Sequence, residues 1–337
     1  MRMFLASLIV MVSAVPTMAA ELQPVTAATG KIKFNGLLQT WFLNDTSTPA
    51  DANFRLRRTE LRFSGSVLEK TRWLVMVDPS KSLRTGAVSA SNDNKILQDV
   101  LVAFEPLARF ELLMGQFKTL TTAEGLESSS ALLLPERSVV GRTFGDRREP
   151  GFMATYALSD AEPVPMKMGV MVSNGEGTNI DDTNVKKDLS ARVDVTPIPA
   201  LTLGTFVLLG NFNFSEKGSV GANFRLTPGK AILKAEYVEG KELRIRRRGF
   251  VTEGGYTFCD VVQPVARYEV LKSVQGRGTF TAHEATVGVN YFILGHNAKI
   301  QTSYTKVLRN MLGSGGTLAA SERGKGTLFI LSFQAAI

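Results

Sequence analysis

The chain has 337 residues, with 39 Lys and Arg against 31 Asp and Glu, one Cys and two His. One Cys excludes an intramolecular disulfide, and one Cys with two His cannot build a structural zinc site, so we expect neither a metal nor a cofactor. A hydrophobic fraction of 44% is too high for a disordered chain, and a mean hydropathy of +0.03 is too low for a bundle of membrane helices. The formal net charge of +8 fits nucleic acid, anionic lipid or small anions and does not choose among them.

Residues 1–20 predict a secretory signal peptide. Arg2 provides a positive start, residues 4–15 form an apolar core, and small residues follow, which suits cleavage after Ala19 or Ala20. A membrane anchor is less favoured, because the apolar run is shorter than the ~20 residues that a spanning helix needs. Cleavage removes Arg2 and no acid, which lowers the formal net charge from +8 to +7. Export also makes nucleic acid an unsuitable partner.

Beyond residue 20 the apolar residues recur with a period of two, which predicts β-strands with one apolar face. The last segment shows the pattern most clearly, because one of its faces carries no charge. That face consists of Thr327, Phe329, Leu331, Phe333, Ala335 and Ile337. Turn residues divide this part of the chain into sixteen predicted strands. In chain order they are residues 31–44, 54–67, 71–79, 96–104, 110–118, 150–157, 166–173, 188–195, 201–211, 216–226, 231–239, 247–261, 265–273, 281–292, 297–307 and 324–337.

Short and long connections alternate between these strands. The joints after even-numbered strands are tight and carry turn residues: Glu69-Lys70, Glu105-Pro106, Thr196-Pro197, Thr227-Pro228-Gly229, Gln263-Pro264 and Leu294-Gly295. The joints after odd-numbered strands are mostly longer, as at residues 45–53, 80–95, 119–149, 174–187 and 308–323. An even number of strands, this alternation and export are together typical of an outer-membrane β-barrel.

The faces of the strands distinguish a membrane barrel from a soluble exported β-sandwich or β-helix, which would also alternate. The face opposite the apolar one repeatedly carries charged or polar residues: Lys33, Arg58, Glu60, Arg62, Lys234, Glu236, Lys299 and Gln301. An Arg that faces lipid at the bilayer midplane costs ~2–4 kcal/mol, so these residues belong in a wet lumen. We predict an all-β fold, a 16-stranded antiparallel transmembrane β-barrel over residues 21–337, located in the outer membrane.

Several stretches resemble the phosphate-selective porin O and P family in their order and spacing. They are residues 54–65 (FRLRRTELRFSG), 113–118 (LMGQFK), 124–127 (EGLE), 135–138 (PERS), 147–151 (RREPG), 249–256 (GFVTEGGY) and 264–269 (PVARYE). The resemblance implies a passive channel for small hydrophilic solutes, usually a homotrimer, with an interior that favours anions such as phosphate. It also implies one loop folded inward as a constriction, which would be residues 119–149 here. The chain departs from the family pattern after Lys118, where Thr119 stands in place of the usual Pro-Phe.

A porin selects solutes by charged side chains at its narrow point. On the second strand, two arginines share the lumen face with Glu60 between them, and further basic residues lie where the long loop begins and returns. Arg is always charged and its fork of donors matches phosphate. The candidate residues for anion selectivity are Arg58, Arg62, Lys118, Arg147 and Arg148.

The loop at 119–149 itself carries four basic and five acidic residues, a net charge of −1. A constriction of mixed charge screens solutes by their dipole, so general diffusion stays open beside anion preference. The alternative is a non-selective barrel, or a structural barrel whose lumen is plugged. The basic run formed by Arg244 and residues 246–248 is interpreted as an exposed loop end that binds anionic outer-membrane lipid, in preference to a vestibule that gathers anions.

An outer-membrane hydrolase is a remote alternative. His283 beside Glu284 lies near the end of a predicted strand, and a His is the base that a nucleophile–base pair of a hydrolase needs. No G-x-S-x-G sequence accompanies it. We therefore expect a channel and not an enzyme.

Overall fold

The computed structural model describes residues 26–27, 30–46, 52–82, 95–158, 164–212, 215–276, 278–312 and 326–337. The predicted signal peptide, residues 1–20, lies outside these ranges. Sixteen long strands account for most of the described chain. They are β1 (Gly30–Asp45), β2 (Ala52–Leu68), β3 (Thr71–Val77), β4 (Leu97–Leu107), β5 (Phe110–Lys118), β6 (Arg148–Ala157), β7 (Met166–Ser173), β8 (Asp188–Ile198), β9 (Leu201–Phe212), β10 (Ser215–Leu226), β11 (Ala231–Glu242), β12 (Ile245–Tyr256), β13 (Val262–Gln275), β14 (Gly278–Leu294), β15 (Ala298–Leu312) and β16 (Thr327–Ala336). A further two-residue strand, Thr26–Ala27, pairs with the start of β1.

The sheet closes on itself. Each long strand pairs antiparallel with the next along the chain, and β16 pairs antiparallel with β1, where Leu331 lies opposite Phe42. The predicted barrel of sixteen antiparallel strands is therefore confirmed. None of the helices within the described ranges is long and apolar enough to cross a membrane.

The two faces of the wall have opposite character. On β16, Ser332 and Gln334 are buried in the interior, whereas Phe329 and Phe333 are exposed on the outside. Polar side chains buried inside the barrel include Arg58, Glu236, Arg267, Glu269, Lys299 and Gln301. Polar groups inside and apolar groups outside are what a barrel with a lipid exterior needs, as the alternation predicts.

Three predicted turns lie within strands, and each contains Pro: Glu105-Pro106, Thr196-Pro197 and Gln263-Pro264. The first two fall at irregularities where the ladder changes register. Pro264 lies opposite Val289 of β14 but has no paired residue on β12. A missing N–H costs little at such positions, so Pro does not end the strand there. The turns that replace the predicted ones are Ala108-Arg109, Pro199-Ala200 and residues 257–261.

Connection lengths alternate less strictly than the sequence suggests. We call the end with the long connections at 78–96, 119–147 and 174–187 the outer end, and the opposite one the inner end. Some outer-end connections are short, such as Leu243-Arg244, whose φ angles of 50° and 63° suit a two-residue hairpin. The basic run, expected in an outer loop, therefore lies in this hairpin and in the first residues of β12.

Residues 119–147, between β5 and β6, fold into the barrel, and we call them the inward loop. Its elements are α1 (Ala123–Leu126), a 3-10 turn (Ser129–Ala131) and α2 (Val139–Phe144). The hydroxyls of Thr122 and Ser138 cap the two helices by accepting backbone N–H groups at 3.1 and 2.8 Å. The loop is two residues shorter than predicted, because β6 already begins at Arg148.

Apolar side chains of the inward loop pack on the inner wall. The cluster beside α2 contains Val139, Val140 and Phe144 of the loop with Phe206, Val238, Val251 and Leu271 of the wall. Gly249 of β12 allows this approach, since a Cβ there would lie 2.8 and 2.9 Å from the two methyl carbons of Val140. Gly288 of β14 likewise makes room for Leu134, which a Cβ would meet at 2.7 Å. These two glycines of the wall thus leave space for the side chains of the inward loop.

Candidate functional site

Side chains from several parts of the barrel hold the inward loop. Lys299 of β15 donates to the Leu132 carbonyl at 3.0 Å. On β8, Arg192 donates to the Thr121 carbonyl at 2.6 Å. Because β8 and β15 lie far apart around the barrel, the loop crosses the interior and narrows the lumen.

A β-bulge on β2 turns two consecutive arginines inward. Gln39 of β1 lies opposite Arg58, but the next residue, Thr40, lies opposite Leu56, so Arg57 is the extra residue of the bulge. A bulge interrupts the alternation of faces, and both guanidinium groups point into the lumen. Four arginines of β2 therefore line the interior, and we call them the arginine row: Arg55, Arg57, Arg58 and Arg62.

Glu136 of the inward loop meets the middle of the arginine row. Arg57 Nε and Nη2 each donate to one Glu136 oxygen at 3.0 Å, and Arg58 Nη2 lies 3.7 Å from Glu136 Oε1. Burial alone would raise the pKa of Glu136, but the Arg57 and Arg58 guanidinium groups outweigh it and hold the pKa well below its usual range. Glu136 stays ionised and offsets one charge of the row.

The two predicted selectivity residues on β2 have different surroundings. The Arg58 side chain is 4% exposed, and its Nη1 donates to Gln39 Oε1. Its Nη2 has no hydrogen-bond partner among the described residues. The Arg62 side chain is 47% exposed, and its Nη2 lies 3.9 Å from Asp99. Arg62 presents its charge to the lumen, whereas Arg58 is a buried charge behind it.

Lys118, predicted as a selectivity residue at the start of the loop, is an anchor of that loop. Its Nζ donates to the carbonyls of Gly125 and Glu127 at 2.6 and 3.1 Å and lies 3.4 Å from Asp146. Burial would raise the pKa of Asp146, but the neighbouring Arg137 and Lys118 charges lower it. The charge of Lys118 is thus largely compensated within the loop.

Arg147 and Arg148 point to different sides of the lumen. Arg148 Nε donates to Asp99 Oδ1 at 2.7 Å, which places Arg148 beside Arg62 through their shared carboxylate. Arg147 donates from Nη1 and Nη2 to the two oxygens of Glu242 on β11, at 3.0 and 2.9 Å. The structure therefore brings Arg58, Arg62, Lys118 and Arg148 towards one region and sets Arg147 apart.

Charges of both signs surround a cavity of about 300 Å³ beside α1. Lys234 Nζ lies 2.7 Å from Glu127 Oε2 and 3.1 Å from Glu253 Oε1. Burial and the neighbouring Glu253 carboxylate raise the pKa of Glu124 to about 7. Ser138 N donates to Glu124 Oε1 at 2.8 Å. This side of the lumen balances its cations with carboxylates, unlike the arginine row.

Sequence reasoning missed Arg57 and Glu136. Strict alternation puts Arg55 and Arg57 on the lipid face of β2, where a charge is costly. That conflict with the inward Arg58 is the one signal of a bulge in the sequence. Glu136 lies in a loop, where periodicity gives no direction for the side chain.

His283 and Glu284 do not form a catalytic pair. The His283 ring faces outward, with Nδ1 2.8 Å from the Tyr268 hydroxyl oxygen. Glu284 is 2% exposed and points into the barrel, because successive strand residues face opposite sides. Among the residues that the structure describes, no group of three or more His, Cys, Asp or Glu is arranged to hold a metal ion.

Comparison with known sequences relates the chain to a family of porins. The family model for phosphate-selective porin O and P matches residues 39–210. An uncharacterized protein of Aquifex aeolicus (strain VF5) is 33% identical over 90 residues, which cover 24% of this chain and 22% of that protein. The match thus spans about a fifth of that relative's length.

Several solved structures have a similar fold. Salmonella typhi OmpF, in complex with daunomycin, is 11% identical, with 94% of this chain and 100% of that chain covered and a TM-score of 0.65. An anion-selective porin from Comamonas acidovorans is 10% identical, with coverages of 91% and 100% and a TM-score of 0.62. The trimer form of Vibrio cholerae OmpT is 13% identical, with coverages of 92% and 100% and a TM-score of 0.59. At these identities the likeness shows the fold alone.

Proposed function

The chain belongs to the phosphate-selective porin O and P family and is an outer-membrane porin; from this premise we propose that small hydrophilic solutes diffuse through it with a preference for anions such as phosphate. The predicted signal peptide at residues 1–20 would provide the export that this location requires. The observation that carries the anion preference is the arginine row on β2.

The arginine row supports anion preference because its positive charges outnumber the acids that meet it. Glu60 shares the strand face, with Oε1 3.9 Å from Arg58 Nε. Glu136 meets the row from the inward loop. Asp99 lies 3.9 Å from Arg62 and also accepts a hydrogen bond from Arg148. Four guanidinium groups against these three carboxylates leave a positive surplus in a narrow passage with low-dielectric walls, which focus the field.

Passage needs sites that attract an anion and then release it. The half-exposed Arg62 offers a fork of donors that matches phosphate or carboxylate oxygens. Asp99, 3.9 Å from the same guanidinium, competes with the solute and keeps binding weak. Arg62 is therefore the residue at which we expect a passing anion to exchange part of its water shell for protein donors.

A planar bilayer tests this function. With unequal KCl on the two sides, the purified chain should give open-channel steps and a zero-current potential of the sign for chloride selectivity. Arg62→Gln should lower the ratio of anion to cation permeability by about twofold or more, because one exposed charge leaves the narrow passage. Arg246→Gln removes the same charge from the outer face of β12 and should leave that ratio unchanged. Cation preference in the native chain would contradict the proposal.

A plugged structural barrel is the second candidate, and one observation favours it. An apolar cluster fills the interior next to β4–β7, with members Leu101, Ala103, Leu113, Phe117, Met153 and Met171. Such a cluster excludes water from that side of the lumen. Absence of any conductance in the same bilayer experiment would favour the plug over the channel.

We also propose a homotrimer in which β3–β7 face a partner copy. The strands β3, β5 and β7 have 7, 9 and 8 residues, whereas β14 and β15 have 17 and 15. A strand needs about 9–11 tilted residues to cross a bilayer, so β3 and β7 are short for a wall in contact with lipid. The Vibrio cholerae OmpT of similar fold has been solved as a trimer, which supports the same assembly here.

A further inference from the structure

A band of basic side chains faces outward at the outer end of β11–β13. We call it the basic band, and its members are Lys241, Arg246, Arg248 and Lys272, all exposed. The register defines their face. Lys241 lies opposite Arg246 and Arg248 lies opposite Lys272, while the adjacent Leu271 is fully buried on the inside.

The chain supplies little negative charge to this band. Arg248 Nη2 lies 2.9 Å from Glu239 Oε1. Among the described residues, no acidic side chain forms an ion pair with Lys241, Arg246 or Lys272. Like charges directly opposite each other on neighbouring strands destabilise a sheet, and the band contains two such pairs. An anion from outside the chain would relieve both.

The wall becomes aromatic and then apolar directly below the band. Tyr237 and Phe250 lie opposite each other on β11 and β12, with 46% and 40% of their surface exposed. The Tyr237 hydroxyl donates to Glu239 Oε2 at 3.3 Å, so its polar end points towards the band. Aromatic residues of this kind mark the membrane interface, and outward charges are tolerated there but not deeper. The basic band therefore lies at the level of the lipid headgroups.

The position of the basic band around the barrel favours lipid, and not a second copy of the chain, as the molecule that contacts it. β12 lies roughly across the barrel from the short strands β3–β7, so this step rests on the proposed trimer contact at those strands. That contact leaves the basic band exposed to the membrane. Long-loop connections at the same end place the band at the outer surface.

We propose that the basic band binds phosphate groups of anionic lipids in the outer leaflet. Neighbouring strands lie about 4.8 Å apart, so Lys241 and Arg246 can reach one phosphate from two sides. The fork of Arg246 donates to two phosphate oxygens at once, and the ammonium group of Lys241 adds a further donor. Arg248 and Lys272 form the second basic pair beside it. The acyl chains then lie along Tyr237 and Phe250.

The experiment measures lipid binding to the folded full chain in detergent by native mass spectrometry. Phosphatidylglycerol, phosphatidylcholine and inorganic phosphate are the probes. The variant Lys241→Gln with Arg246→Gln and Lys272→Gln should bind phosphatidylglycerol about 100-fold more weakly, from roughly fivefold per basic residue near an anionic headgroup. The control changes Lys70, Lys186 and Lys230 to Gln, which removes the same charge elsewhere, and should bind like the native chain.

Four results would overturn the proposal. They are equal binding by both triple variants, equal binding of phosphatidylcholine, displacement of the lipid by equimolar inorganic phosphate, and cross-linking of two copies through Arg246→Cys in a Cys259→Ser background. A measurement on the native chain covers the case in which the variant does not fold. Raising the salt from about 0.05 to about 0.5 M should weaken phosphatidylglycerol binding, because added ions screen these exposed charges. Affinity that does not depend on salt would also overturn the proposal.

Discussion

Arg57 and Glu136 are joined by two hydrogen bonds of 3.0 Å, from Nε and Nη2 of the guanidinium to the two oxygens of the carboxylate. The Arg57 Cζ atom also lies 5.2 Å from the centre of the Trp41 ring, within the range of a cation–π contact. Since Arg57 is the bulge residue of β2, one irregularity both brings a charge into the lumen and fastens the inward loop. The position of the loop and the charge of the passage are coupled at this pair.

Replacing Arg57 by Met should destabilise the folded chain by about 3 kcal/mol, because it leaves the nearly buried Glu136 carboxylate without its main partner. Unfolding by heat in detergent, followed by circular dichroism, measures the loss. Arg72→Met is the control, since Arg72 forms a similar pair with Glu111 but is 46% exposed, and such a pair contributes at most about 1 kcal/mol. Equal effects of the two substitutions would show that the Arg57 pair does not hold the loop.

Arg58→Gln should reduce stability more than anion selectivity, and Arg62→Gln should do the reverse. The Arg58 side chain is 4% exposed and bonded to Gln39, whereas the Arg62 side chain is 47% exposed to the lumen. We expect Arg58→Gln to lower the free energy of unfolding by about 1–3 kcal/mol, because the charged hydrogen bond to Gln39 is lost. Zero-current potentials and melting curves of both variants separate the two roles. A larger selectivity change in Arg58→Gln than in Arg62→Gln contradicts this division.

Glu124 and Glu136 should give stability opposite dependences on pH. The pKa of Glu124 is raised to about 7, so its contribution is complete below about pH 4.3 and is lost as pH rises through about 7. The pKa of Glu136 is lowered, so its contribution is present above about pH 4.3 and is lost as pH falls through its lower folded value. Melting temperatures measured between about pH 3 and pH 8 record both losses of stability, the one at acid pH and the one towards neutral pH.

Single substitutions assign each of these two losses of stability to its residue. Glu124→Gln keeps a neutral side chain at its position and should remove the decline towards neutral pH. Glu136→Gln should remove the loss of stability at acid pH and leave the decline towards neutral pH in place. An unchanged profile in Glu124→Gln would mean that Glu124 does not titrate in the loop's folded state.

Gly249→Ala should push the inward loop off the wall. The new Cβ would lie 2.8 and 2.9 Å from the methyl carbons of Val140, and overpacking of this kind costs about 1–3 kcal/mol. Val140→Ala in the same chain removes the methyl groups and should restore much of the lost stability. Gly36→Ala is the control, since the nearest atom to its Cβ would be Cδ1 of Ile337 at 3.7 Å. Failure of Val140→Ala to rescue Gly249→Ala would contradict the docking described for α2.

Local periodicity was enough to predict the barrel but not its narrow passage. Alternation along single strands, such as Thr327–Ala336, reports which face meets lipid, and this needs no knowledge of neighbouring strands. Pro264 was predicted to lie in a turn, because the sequence does not show that this strand residue has no paired residue on β12. Arg57 and Glu136 meet across 79 residues of sequence, so no local pattern indicates their contact.

The same limit explains why the sequence did not show which of the predicted selectivity residues have a free charge. Residue type and spacing identified basic side chains that do lie inside the barrel. Whether such a charge remains free depends on its partners, and the partners of Lys118 are carbonyls of the folded loop. Burial of that kind follows from the path of the loop, which the sequence alone does not specify.

The proposed trimer contact makes the last prediction. A row of outward-facing apolar residues crosses the short wall in register, from the half-buried Trp73 of β3 through Val102 of β4 to Met114 of β5. Val102 and Met114 are 54% and 72% exposed in one copy. Val102→Arg places a charge at the centre of this row and should convert trimers to monomers, because a buried unpaired charge in a contact costs several kcal/mol.

Val287→Arg on β14 is the matched control. Val287 is 59% exposed and also faces outward, but it lies on the wall of long strands that we assign to lipid. Its substitution makes the same change of charge and size, so detergent binding and folding are affected alike in the two variants. Light scattering of the purified proteins should then show monomers for Val102→Arg and trimers for Val287→Arg. Trimers in both would place the contact away from β3–β5, and loss of trimers in Val287→Arg alone would assign it to β14, close to the basic band.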